Sequence, residues 1–159
     1  MQKAQLIQQI VASLSDSLSL LEKAARASHA EATHESSKAE SKYDTRGLKA
    51  AYLADGQARQ AKEILDSMKL YRALPVRDFA SEEPIELTAL VELDVDGTRA
   101  LYFIGPRSGG LEIECKRKEI TVITPQSPLG QHLMGKKAGH RWTAKMGGAL
   151  AKYNIVSVS

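Results

Sequence analysis

Apolar residues recur at alternating spacings of four and three along the first half of the chain, on either side of a polar stretch at residues 33–48. One repeat passes through Ile7, Val11, Leu14, Leu18, Leu21, Ala25, Ser28 and Ala32, and the other through Ala51, Ala54, Ala58, Ala61, Leu65, Met68 and Arg72. Such heptad spacing predicts a narrow apolar seam on each of two helices. The two seams match in antiparallel register, with their midpoint at Ser41, next to Glu40. The pattern therefore predicts an antiparallel helical hairpin, a coiled coil, over residues 1–74.

The seam residues of this hairpin become smaller toward the bend. Leucine and methionine side chains face each other near the open end, whereas only alanine and serine do so near the bend. Small residues let two helix backbones approach closely, but they give up the burial that larger side chains provide. The sequence predicts a rod that narrows toward its tip. The high helix propensity of alanine is the alternative explanation of the same composition.

The second half of the chain has a different periodicity, which begins after a connector at residues 75–84. Apolar residues now alternate with polar ones, and the Asp-Gly pair at 96–97 is typical of a two-residue hairpin turn. A Ser-Pro pair at 127–128 indicates the start of a short helix. Residues 85–159 are therefore predicted to form a small antiparallel sheet of about five or six strands, covered by one short helix. The fold class predicted for the whole chain is α+β.

Three carboxylates, Glu35, Glu40 and Asp44, lie around the predicted bend. Carboxylate oxygens are ligands that Mg²⁺ prefers, and this ion often takes only one or two of them from a given protein. We expect Glu40 and Asp44 to share a Mg²⁺ ion with an incomplete site on another protein, because neighbouring basic residues dilute the negative charge. Capping of the second helix is an equally good explanation of Asp44.

Charge is distributed unevenly, although the formal net charge is only +3 over 159 residues. The last acidic residue is Glu119, so the segment 120–159 is basic. This segment is either a solvated surface or an electrostatic docking face for an anionic partner.

Several classes of protein are not expected from the composition. The single cysteine, Cys115, excludes an internal disulfide and a cysteine cluster for zinc. The first residues alternate polar and apolar side chains, so we expect neither a signal peptide nor a membrane span there. We therefore expect a cytoplasmic location. No nucleophile or phosphate-loop motif is present. We therefore expect no catalytic residues of the chain's own.

The run ITVITPQSPLGQHLMGKKAGHRW at residues 120–142 resembles the C-terminal domain of the bacterial GreA/GreB transcript cleavage factors. In that family a strand leads into Ser-Pro-Leu/Ile-Gly, a short helix, Gly-Lys and a further Gly. The matching positions here are Ser127, Pro128, Leu129, Gly130, Gly135, Lys136 and Gly139. The resemblance extends over about residues 85–159, and the first half shares the hairpin architecture.

This resemblance implies an FKBP-like domain that docks on core RNA polymerase at the entrance of the secondary channel. It implies no membrane and only indirect contact with nucleic acid, through the elongation complex. The expected docking residues are Ser127, Pro128, Leu129, Gly130, Lys136 and Lys137. Because the seam residues are matched within the chain, we expect a monomer rather than a coiled-coil dimer.

The hairpin tip departs from the family pattern. The cleavage factors carry an acidic pair in a D-x-x-E-N-A-E-Y context, which holds a second Mg²⁺ for hydrolysis of backtracked RNA. Here the corresponding run is D-T-R-G-L-K-A-A-Y, so Asp44 matches the first acid and Gly47 stands at the position of the second. Glu40, or the more distant Glu35, is the candidate replacement.

The resemblance thus implies an elongation regulator that inserts its tip toward the polymerase active centre and stimulates cleavage by the polymerase. A secondary-channel factor that does not stimulate cleavage is an alternative. A prolyl isomerase or chaperone of the FKBP type is another, although aromatic residues make up only 5% of the chain and a prolyl site needs an aromatic-lined cleft.

Overall fold

The computed structural model describes residues 3–38 and 45–159, with side chains described for 3–27 and 55–159. Two long helices come first, α1 (Lys3–Lys38) and α2 (Thr45–Ala73). Six strands and one short helix follow: β1 (Leu90–Val95), β2 (Thr98–Ile104), β3 (Glu112–Cys115), β4 (Lys118–Ile123), α3 (Pro128–Leu133), β5 (Arg141–Met146) and β6 (Ala149–Val158). The α+β fold class is confirmed. The bend predicted at Glu40 and Ser41 lies outside the described residues.

The chain divides into two compact units. One is Val11–Arg72, which contains most of α1 and α2, and the other combines the residues up to Ile10 with Ala73–Ser159. The residues up to Ile10 thus group with the sheet, and the predicted division of the chain into 1–74, 75–84 and 85–159 stays a prediction.

Within the helical unit, α1 follows the predicted seam. Leu14 is buried, and Val11, Leu18, Leu21 and Ala25 are half-buried. Since these positions lie three or four residues apart, they form one stripe along the helix.

The seam of α2 differs from the prediction by one residue at several positions. Leu65 is 43% exposed, whereas its neighbour Ile64 is half-buried. The stripe of low exposure passes through Gln57, Ala61, Ile64, Met68 and Tyr71. A straight α-helix drifts relative to a 3.5-residue repeat, so a heptad pattern does not distinguish two adjacent apolar positions over several turns.

The sheet has the strand order β3-β4-β2-β1-β6-β5. Four of its pairings are antiparallel, as predicted, but β2 and β4 pair in parallel. The prediction of a purely antiparallel sheet is corrected here: β3 reverses the chain after β2, and its hairpin with β4 reverses the chain again. The second of these strands therefore runs in the same direction as β2.

Turn residues in the sheet behave largely as predicted. Asp96 and Gly97 have φ of 51° and 89°, and the two-residue turn joins β1 to β2. The first strand nevertheless begins later than the alternation indicated, at Leu90, because Thr88 has a φ of 75° that an extended strand does not allow.

One face of β1 and β6 lies against α3 in the main core of the sheet. Leu93, Ile104, Leu133 and Ile155 are fully buried in this cluster. The burial of Leu133 fixes α3 on the sheet, and this arrangement positions the corner described below.

Candidate partner-binding corner

The corner between β4 and α3 is built around Ser127. Its Oγ donates a hydrogen bond to the carbonyl oxygen of Thr124 at 2.7 Å and accepts one from the N–H of Gly130 at 3.1 Å. Ser127 is thus the N-cap of α3, and Pro128 follows at the first helical position, where no backbone donor is needed. The Ser-Pro pair of the motif therefore has a local structural purpose.

Gly130 is required by the same corner. A Cβ at this position would overlap the carbonyl oxygen of Thr124, which is backbone and has no freedom to move aside. Gly130 is buried, so the helix lies directly on the end of β4. Any larger residue would separate the two.

The two later glycines of the motif fasten the segment after α3. Gly135 has a φ of 78° and donates its N–H to the carbonyl oxygen of Ile85 at 2.8 Å. Gly139 has a φ of 90° and donates to Ile155 at 2.7 Å. Both occupy the left-handed region that favours glycine. Gly135 ties the segment to the chain before β1, and Gly139 ties it to β6.

The predicted docking residues fall into two groups. Ser127 and Leu129 are half-buried and Gly130 is buried, with Leu129 packed against the core cluster. Pro128, Lys136 and Lys137 are exposed. Neither lysine side chain has a hydrogen-bond or ion-pair partner in the described part of the chain, so both cations are available to an anionic surface.

An aromatic stack that the sequence did not predict lies beside this corner. The Trp142 ring is stacked with those of Tyr153, His140 and His132, at centroid distances of 5.0, 5.6 and 5.8 Å. The two histidines come from α3 and from the turn before β5, so no local spacing could have associated them.

The connector is held by a cluster around Phe79, which is buried. The Lys3 ammonium lies 4.5 Å and the Arg77 guanidinium 3.7 Å from the centroid of the Phe79 ring, a cation–π arrangement. Lys3 Nζ also donates to the carbonyl oxygen of Arg77 at 2.6 Å. Burial lowers the pKa of Lys3 to about 8, although Asp78 opposes this shift. The residues predicted as a linker are therefore an ordered segment tied to the start of α1.

Of the predicted tip acids, Glu40 and Asp44 lie outside the described residues, and Glu35 lies in α1 beyond the side chains that are described. Elsewhere in the described part of the chain, no group of three or more His, Cys, Asp or Glu residues is placed to hold a metal ion. Cys115 is buried. Within residues 3–38 and 45–159 no helix is sufficiently long and apolar to cross a membrane.

Comparison with known proteins gave structural similarities alone. No family model and no curated protein matches the chain. Among solved structures, it is similar to GreA factor homolog 1 (Gfh1) of Thermus thermophilus, with 14% identity over 94% of each chain and a TM-score of 0.38. It is also similar to Gfh1 of Thermus aquaticus, with 18% identity over 92% of each chain and a TM-score of 0.38.

A GreA/GreB elongation factor from Nitrosomonas europaea is similar at 16% identity, over 60% of this chain and 78% of that one, with a TM-score of 0.38. Identities and TM-scores at this level do not assign a function.

Proposed function

We propose that this chain is a Gre-like regulator of transcription elongation that binds core RNA polymerase at the secondary channel. The observation that carries the proposal is the corner at residues 124–139. Ser127, Gly130, Gly135 and Gly139 each make a contact or adopt a conformation that explains the residue type. Because each of these spaced residues has a structural role in the same corner, the motif supports the family resemblance more strongly than sequence identity at those positions alone.

The docking surface of the proposal is the exposed side of the same corner. Pro128, Lys136 and Lys137 are solvent-accessible, and the residues between and around them hold the segment rigid. Unpaired cations on a rigid segment favour a negatively charged partner surface, since little conformational entropy is lost when the partner binds. The polymerase rim is the partner that the family resemblance implies.

The tip of the hairpin is proposed to act near the polymerase active centre. Asp44 and Glu40 would supply carboxylate oxygens to a Mg²⁺ ion that the polymerase also holds, with Glu35 as the more distant third acid. The chemistry of cleavage would belong to the polymerase. Because Gly47 stands where the family has its second acid, regulation of elongation without cleavage is the alternative outcome within the same proposal.

Stalled, backtracked elongation complexes provide the test. We expect the purified protein to bind core polymerase and to alter transcription, and shortened transcripts would identify cleavage. Replacing Glu40 and Asp44 together by alanine should lower this effect by about tenfold or more while leaving binding unchanged, since each tip acid acts on the metal rather than on the docked surface.

The matched control removes two other exposed acids of the hairpin, through Asp16→Ala and Asp55→Ala. This variant should keep both binding and effect. Loss of binding in the Glu40/Asp44 variant would show that the tip acids only dock, and a wild-type chain that does not bind polymerase would refute the proposal.

A further inference from the structure

The strand β5 has one open edge. It is the outermost strand in the order β3-β4-β2-β1-β6-β5, and it pairs with β6 alone. Its residues pair in unbroken register, from Arg141 opposite Asn154 to Met146 opposite Ala149. Neither a proline nor a bulge interrupts the strand, whereas such features often prevent an edge strand from pairing with another chain. The backbone of β5 is therefore regular enough to accept a further strand.

Alternate residues of β5 direct their backbone groups to this open edge. The backbone of Ile155 in β6 bonds to His140, just before β5, whereas that of Lys152 bonds to Asp96 on the β1 side. Because backbone direction alternates along a strand, the odd-numbered residues of β6 bond to β5, and their partners in the observed register are the even-numbered residues of β5. The N–H and C=O groups that point outward, without a hydrogen-bond partner among the described residues, are those of Arg141, Thr143 and Lys145. These three are called the edge residues below.

The two faces of β5 differ in character. On the side of α3, Trp142, Ala144 and Met146 pack against the main core cluster but remain half-buried, with no strand beyond them. The edge residues lie on the opposite face and are exposed, since successive side chains of a strand alternate between faces. A strand added at this edge therefore places its side chains alternately beside an apolar row and beside a polar, basic row.

The charge on the basic row determines which partner it favours. Arg141 and Lys145 have no ion-pair partner among the described residues, and Lys152 lies on the same face of the neighbouring strand. Asp94 is the acid in the same row as Arg141, but it lies on β1, two strand spacings of about 4.8 Å away. Cations at a sheet edge repel a basic strand, but they attract a strand whose carboxylates lie opposite to them. The edge thus favours an acidic segment.

We propose that the open edge of β5 binds an extended acidic segment of a partner protein, which adds a strand to the sheet. Apolar residues of the segment contact Trp142, Ala144 and Met146, and its carboxylates lie opposite Arg141 and Lys145. Backbone hydrogen bonds supply affinity and the alternating side chains supply specificity, as in other cases of strand addition. Each such bond contributes little net free energy in water, so the complex is transient. This inference does not depend on the proposed role in transcription.

A short blocked peptide in which glutamate alternates with valine is the probe. Added to the ¹⁵N-labelled protein at about millimolar concentration, it should shift the amide resonances of the edge residues downfield in a saturable way, because their N–H groups gain acceptors. A peptide that alternates lysine with valine should bind at least about tenfold more weakly. A peptide of the first composition with its glutamates grouped at one end should also bind more weakly, since it cannot match both faces of β5.

The variant Thr143→Pro separates backbone pairing from charge attraction. It removes an N–H that points outward, so it leaves both the pairing with β6 and the two cations in place. It should weaken binding of the acidic peptide by about tenfold or more. The control Thr143→Val keeps the backbone donor and should bind as the wild type does. The unfolding midpoints of both variants verify that the sheet is intact.

Charge reversal tests the same edge independently. Arg141→Glu with Lys145→Glu should exchange the preference, so that the lysine peptide binds more tightly than the acidic one. Lys116→Glu with Lys118→Glu makes the same charge change at the β3–β4 hairpin, on the other side of the sheet, and should leave the preference unchanged.

The inference is overturned if the acidic peptide produces no saturable shift. It is also overturned if Thr143→Pro binds this peptide as tightly as Thr143→Val does, because general electrostatic attraction then explains the binding. Edge-residue shifts that depend on the concentration of the protein alone would identify a second copy of the chain as the occupant and would equally overturn it.

Discussion

Gly109 and Gly130 both approach Thr124, but they meet different parts of it. A Cβ on Gly109 would lie 3.4 Å from the Thr124 methyl group, an ordinary contact with a side chain. A Cβ on Gly130 would overlap the Thr124 carbonyl oxygen, which also accepts the hydrogen bond from Ser127 Oγ. At residue scale, Gly109 is therefore replaceable, whereas the close approach of α3 to the Thr124 carbonyl requires glycine at position 130.

The first prediction follows from this contrast. Gly130→Ala should lower the free energy of unfolding of the sheet unit by about 3 kcal/mol, since α3 must move away from β4 to admit the methyl group. Gly109→Ala should change it by less than about 1 kcal/mol, because reduced freedom of the unfolded chain offsets mild crowding. Guanidinium denaturation followed by fluorescence of Trp142 measures both. Equal midpoints for the two variants would contradict the structural account of the motif.

At the scale of elements, the sequence predicted those features that neighbouring residues specify and missed those that depend on residues far apart in the chain. The Asp96-Gly97 turn and the Ser127 cap were both identified because each is specified by neighbouring residues and by their preferred backbone conformations. The parallel pairing of β2 with β4 was missed. The direction of β4 relative to β2 depends on how many times the intervening chain reverses. The alternation of polar and apolar side chains gives no information about the number of reversals.

A shallow groove on β1, β6 and β5, lined in part by Asp94, Arg141 and Asn154, was not predicted either, for a related reason. Asp94, Asn154 and Arg141 are widely separated in sequence and share a row only through strand register. A one-residue shift of register would place any of them on the opposite face. The sequence contained the residues of the groove but no local pattern that associates them.

The seam of α2 leads to a prediction at the same scale. Because Ile64 is half-buried and Leu65 is 43% exposed, Ile64→Ala should destabilise the helical unit by about 1–2 kcal/mol and Leu65→Ala by less than about 1 kcal/mol. Thermal unfolding followed by circular dichroism at helical wavelengths compares the two. A larger effect of Leu65→Ala would restore the strict heptad seam predicted from the sequence.

At the scale of the whole molecule, charge is segregated along the chain. The acidic residues end at Glu119, and the following segment forms α3, β5 and β6 together with the corner loops. Its lysines therefore face solvent without nearby acids from their own segment. A basic segment of this kind attracts an anionic partner over distances of about 10 Å at moderate salt. The hydrogen bonds of the corner hold the backbone that carries Lys136 and Lys137 in place.

The last prediction concerns docking through this face. Lys136→Glu with Lys137→Glu should weaken binding to core RNA polymerase by about tenfold at low ionic strength, and the difference should shrink as salt screens the attraction. Binding measured at several salt concentrations tests both the loss and its slope. Lys116→Glu with Lys118→Glu makes the same charge change on exposed positions of the β3–β4 hairpin, at the edge of the sheet opposite to β5. If this control variant loses as much affinity as the Lys136/Lys137 variant, net charge alone drives association and the corner has no specific docking role. If the Lys136/Lys137 variant binds as tightly as the wild type, the partner contacts a different surface.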